Sequence, residues 1–147
     1  MIRELVINTD TATVAVFDLA AIKHRISDTP DWWSIASDEI QEVNSGNIVF
    51  LGLGQDGSYK ISIVNDIDAD FGTVYLQFPS GQVFVGAGED TTGGDLEPDS
   101  SDVIQGEVIS FHPGYYLMKF KKIDNVLELA FYPSEKNNNN FHEPIRL

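Results

Sequence analysis

The sequence contains no cysteine, which excludes a disulfide framework, a thiolate zinc site and a cysteine nucleophile. No apolar run approaches the roughly 20 residues of a membrane-spanning helix. Met1-Ile2-Arg3-Glu4-Leu5 lacks the basic start, long apolar stretch and small-residue cleavage site of a secretory leader. There is no Asn-x-Ser/Thr glycosylation acceptor either. These absences make the cytoplasm the expected location.

Positive charge is also scarce, and unevenly so. Of a net charge of -14, the stretch from Ile26 to Met118 holds 16 acids against the single base Lys60. Such a field repels nucleic-acid phosphates and anionic membranes, so neither is expected as a partner. Lys119, Lys121 and Lys122 are the one basic cluster, and they read as a solvated strand face.

What is present is an ordinary globular composition, 42% hydrophobic and 11% aromatic over 147 residues. That predicts a single domain over 1–147 with one core. Leu5–Ile7 and Ala12–Phe17, separated by Asn8-Thr9-Asp10, predict an opening hairpin. Asp18 can cap a short helix with Leu19, Ile22 and Ile26 on one face, ended by Pro30. A second short helix is expected from Ser37, with Ile40 and Val43 inward. From Ile48 onward seven short β-rich runs follow, punctuated by turns about every ten residues, and Asp124-Asn125 joins two of them as a hairpin. The expected fold is mainly β with two short helices: an antiparallel β-sandwich or a strongly bent, barrel-like sheet of about eight or nine strands. Ser45–Asp56 (SGNIVFLGLGQD) is echoed by Ser80–Asp90 (SGQVFVGAGED) with one residue deleted. This is the signature of a duplicated strand unit.

Several motifs fall to simpler structural explanations. Gly52-Leu53-Gly54-Gln55-Asp56-Gly57 matches G-x-G-x-x-G, but the following Ser58–Val64 alternates like a strand and offers no helix N-terminus to a phosphate. Asp56-Gly57 reads as a hairpin turn. Asp66, Asp68 and Asp70 alternate as in a calcium loop, yet Phe71 stands where glycine is needed and Gln77 where a bidentate glutamate is needed. They read as an acidic turn, and no metal and no cofactor are assigned. His24, His112 and His142 are scattered, and neither a nucleophile nor a base can be named, so the chain is read as not an enzyme.

Two segments remain as candidate partner-binding sites. One is the acidic loop carrying Glu89, Asp90, Asp95, Glu97, Asp99 and Asp102, which has no base. The other is the pair Trp32 and Trp33. If that segment is extended, one indole faces the core and the other the surface, where it can anchor an interface. Packing of both at the core edge is the competing reading.

In size, lack of cysteine, mostly β build and acidic middle, the chain resembles the small acidic immunity proteins of bacterial toxin systems. That resemblance implies a non-catalytic protein-binding module that neutralises a cognate cationic toxin. The alternative is a small-molecule or carbohydrate-binding β domain, calcium-assisted in one version.

Overall fold

The computed structural model describes residues 3–29, 32–68, 72–91 and 104–147. Ten strands and one helix follow in the order β1 (Arg3–Thr9), β2 (Thr13–Asp18), α1 (Ala36–Asn44), β3 (Val49–Gly52), β4 (Gly57–Val64), β5 (Gly72–Phe78), β6 (Gln82–Ala87), β7 (Gly106–Ser110), β8 (Gly114–Ile123), β9 (Val126–Ser134) and β10 (Ile145–Arg146). They form two five-stranded sheets, β1-β4-β9-β8-β5 and β10-β3-β2-β6-β7. Ile7, Ile61, Leu76, Met118 and Leu127 of the first sheet and Val16, Phe17, Leu51 and Phe84 of the second meet in one core. The mainly β sandwich is thus present and is not closed into a barrel. Both sheets are mixed, because β4–β9 and β3–β10 are parallel pairs.

Two expected hairpins are instead crossings between the sheets: β1 and β3 each hand the chain to a strand of the opposite sheet. Burial explains the first. All six residues of β2 are buried, which suits a central strand, whereas β1 exposes alternate residues and suits an edge. The hairpin at Asp124-Asn125 is present, with β8 and β9 antiparallel around it.

The first expected helix is reduced to turns and a 3-10 turn at Lys23–Arg25. Asp18 explains this, because it ends β2 and its carboxylate reaches across the fold. It accepts from Ser80 N (3.0 Å), Ser80 Oγ (2.7 Å) and Gly81 N (2.8 Å) as well as from the nearby Ala20 N. Leu19 N meanwhile extends the ladder to Gln82 O. The second helix is α1, with Asp38 and Glu39 in its first turn, where acids complement the helix dipole.

The two copies of the repeated segment flank one strand. β3 and β6 pair antiparallel with opposite sides of β2. Gly46 and Gly81, equivalent in the repeat, share a left-handed conformation (φ +76° and +80°), and a Cβ on either would strike a carbonyl oxygen, of Asn137 or of Phe111.

The segment from Asn137 onward covers exposed strand edges. The Asn139 carboxamide accepts from Tyr75 N and donates to Tyr75 O and Val43 O, so one side chain imitates a neighbouring strand along β5. Asn44 and Phe141 exchange two more hydrogen bonds, and β10 covers β3. Free edges invite unwanted pairing, and this segment occupies two of them.

Candidate functional site

Helix α1 has few apolar residues, and two of the three it buries besides loop contacts are acids: Glu39, Glu42 and Val43. Glu42, 3% exposed, is fully partnered. It accepts from Arg25 Nε (2.8 Å), from Asn47 Nδ2 (2.9 Å) and from His24 Nε2 (2.8 Å). Burial alone would raise its pKa, but the hydrogen bonds from Asn47, Arg25 and His24 more than offset that and hold it below the ordinary glutamate value. The Arg25 guanidinium also reaches Asp28 and lies 4.8 Å over the Trp32 ring. Trp32 itself is buried and meets Phe50 edge-on.

Glu39 is different. It is 8% exposed, yet its carboxylate makes no hydrogen bond or ion pair with any described residue, and it lines a cavity of about 230 Å³ together with Trp33, Phe50, Thr13, Gly52 and Arg146. Trp33 stacks on Phe50 at 5.0 Å, and its buried indole N–H has no acceptor among the described residues. Burial pushes the Glu39 carboxyl up to about 7, opposed only in part by the charge of Arg146. A raised carboxyl pKa means the folded state favours the proton. Its contribution to stability is therefore complete below about pH 4.5 and is lost as pH rises to about 7. Glu39→Gln should accordingly stabilise the protein by about 1–2 kcal/mol at pH 8, a value discounted for Arg146 and for water in the cavity. The gain should vanish near pH 4, as read by urea melts across that range. A pH-independent difference would contradict this account.

The acidic candidates divide. Glu89 is half-buried and accepts from Thr9 Oγ1, Thr11 Oγ1 and the Asp10 backbone, while Asp90 accepts from Gln105 N (2.8 Å). These two tie the end of β6 to the β1–β2 crossing and to the segment entering β7. Burial works to raise the Glu89 carboxyl, but its backbone and threonine donors hold it low. Asp90 is raised, by burial first and by Glu89 beside it. Asp95, Glu97, Asp99 and Asp102 lie outside the described residues. Asp66 is exposed and accepts from the Tyr132 hydroxyl, which in turn accepts from Ile67 N.

The outer face of the first sheet carries an exposed apolar row. Val6 (68% exposed), the Lys60 stem, Val126 and Ile123 (55%) lie side by side across β1, β4, β9 and β8. The neighbouring row is Glu4, Ser62, Glu128 and Lys121. At one end of the sandwich Phe111, Tyr116 and Phe131 wall a second cavity of about 190 Å³.

A model for a protein family described as a family of unknown function, DUF6386, matches residues 1–147. The chain belongs to DUF6386. No curated protein matches it in sequence. Among solved structures, this DUF6386 chain is similar to the protein described as crocagin biosynthetic gene J, at 17% identity and a TM-score of 0.56 over 92% of this chain and 98% of that one. It is also similar to ComJ of Bacillus subtilis, described as an inhibitor of the DNA-degrading activity of NucA. That match has 12% identity and a TM-score of 0.53 over 91% of this chain and 99% of that one. At these identities the likeness establishes a shared fold along almost the whole of each chain.

Of the residues singled out from sequence, the DUF6386 structure brings Trp33 to a cavity, buries Trp32 beneath Arg25, and sets Glu89 and Asp90 in internal hydrogen bonds. Sequence reading missed Glu39, Glu42 and Arg25. A signal existed: Ile40 and Val43 alone are too little apolar surface for a nine-residue helix, so acids had to complete its packed face.

Proposed function

We propose that this chain is a non-catalytic, protein-binding inhibitor acting in the cytoplasm, and that its partner is a cationic protein such as a DNA-degrading toxin. The observation that carries this reading is the fold shared almost end to end with an inhibitor of a DNA-degrading protein, in a chain whose central stretch carries 16 acids and one base. A nuclease presents basic residues to DNA, and a strongly acidic surface both attracts that face and competes with the phosphates for it. Within the proposed interface Asp95, Glu97, Asp99 and Asp102 supply charge, Glu89 and Asp90 before them are held by internal hydrogen bonds, and the Trp32–Trp33 corner supplies a desolvated anchor.

Co-expression with the products of neighbouring reading frames, followed by size-exclusion chromatography, should yield a stable complex with a cationic protein whose nuclease activity it suppresses. Converting Asp95, Glu97 and Asp99 to lysine should slow association about tenfold at low salt and flatten its dependence on ionic strength, measured on a biosensor. Unchanged kinetics would remove that loop from the interface, and absence of any complex with a cationic product would overturn the reading.

A further inference from the structure

The chain partners its other well-buried carboxylates with care. Asp18 has four donors, and Glu42 has an arginine, a histidine and an asparagine. Buried carboxylates are ordinarily satisfied in this way, since leaving one unpaired costs free energy. Glu39, on the same helix three residues before Glu42, has no such partner and opens on a cavity far larger than the roughly 15 Å³ a single water needs.

The neighbouring pair shows what the corner is built to hold. At Trp32 and Glu42 an indole and a carboxylate receive the Arg25 guanidinium, its carbon 4.8 Å over the ring and its Nε 2.8 Å from the carboxylate. One residue after Trp32 and three residues before Glu42, Trp33 and Glu39 line one cavity, with Trp33 stacked on Phe50, and no side chain of the described residues completes the set. We propose that the Glu39 cavity receives a guanidinium group, delivered by an arginine side chain of a protein partner. This deepens the inhibitor reading and rests on it for the identity of the donor.

A guanidinium suits the site better than an ammonium, because it is planar, weakly hydrated, stacks on aromatic rings and meets a carboxylate through two parallel bonds. An anion is opposed by Glu39 and by the chain's charge. Arg146 is exposed and in this cavity's lining, more than ion-pair distance from Glu39. It repels an incoming cation, so its removal should favour the guest.

The test is an NMR titration with N-acetyl-arginine-N-methylamide, with the isosteric citrulline compound as neutral control. The readout is the Trp33 indole N–H resonance, assigned through Trp33→Phe. Saturable binding is expected for the arginine probe, about tenfold weaker for citrulline and for Glu39→Gln, and tighter for Arg146→Ala. Equal binding by citrulline, equal binding by the Glu39→Gln protein, or weaker binding by Arg146→Ala would overturn the assignment. The two readings fail separately. A cationic partner bound equally well by Glu39→Gln, with no response to the probe, would sink the cavity while leaving the inhibitor standing. A responsive cavity with no protein complex would do the reverse.

Discussion

Replacing Asp18 by alanine should lower stability by about 3 kcal/mol. The side chain is completely buried and accepts four hydrogen bonds, three of them from backbone N–H groups that have no other partner among the described residues. Charge-assisted bonds of this kind contribute roughly 1.5–3 kcal/mol each, but Ala20 and Ser80 are exposed, so water replaces part of what is lost. Gly81 is buried, and its N–H would be left without an acceptor. The loss would fall on the turn between β5 and β6, which belong to opposite sheets, and so on the joint between them. Chemical denaturation reads it directly, with Asp18→Asn expected to retain part of the stability because one oxygen remains. A loss below about 1 kcal/mol would show that the turn holds itself.

Glu42→Ala should have an effect of similar size, about 3 kcal/mol, by a different route. Its removal leaves the largely shielded Arg25 with Asp28 and Asp38 as its carboxylate neighbours among the described residues and strips the acceptor from Asn47 and His24. The pH dependence gives the diagnostic. A carboxylate held below its ordinary value stabilises the fold above about pH 4.5, and that contribution is lost as pH falls through the folded value. Wild type should therefore lose stability on acidification through a limb that Glu42→Ala lacks. Glu39, three residues earlier, acts with the opposite sign: Glu39→Gln should gain on wild type as pH rises from about 4.5 to about 7, whereas the deficit of Glu42→Ala should hold steady across that range and shrink only below about pH 4.5. Parallel profiles for the two would refute the assignment of these roles.

The comparison of Glu39 with Glu42 also shows where sequence reading stops. The β character, the turn spacing and the β8–β9 hairpin were legible, because alternation and turn chemistry are local properties. Sheet membership was not: β1 and β2 have the spacing of a hairpin, and only the complete burial of β2 decides that it belongs to the other sheet. Asp18 has the placement of a helix cap, and three of its four donors lie 62 and 63 residues away. The acidic stretch was visible as charge, but the sequence carries no mark separating Glu89 and Asp90, which accept internal hydrogen bonds, from acids available to a partner. Glu39 looked like any acid in a helix's first turn. What sets it apart is the lack of a partner among the described residues, and that can be seen only once its neighbours have been placed.

The segment from Asn137 to Leu147 has a consequence for the order of events in synthesis. It is translated after every strand of the first sheet and four of the second, yet it supplies both the Asn139 cover on β5 and the β10 partner of β3. A chain in which β1 to β9 have assembled before this segment docks therefore leaves the β3 and β5 edges uncovered, and those edges stay adhesive until Asn139 and β10 are in place. Docking of Asn139 and β10 is thus the step that closes these two edges to other copies of the chain.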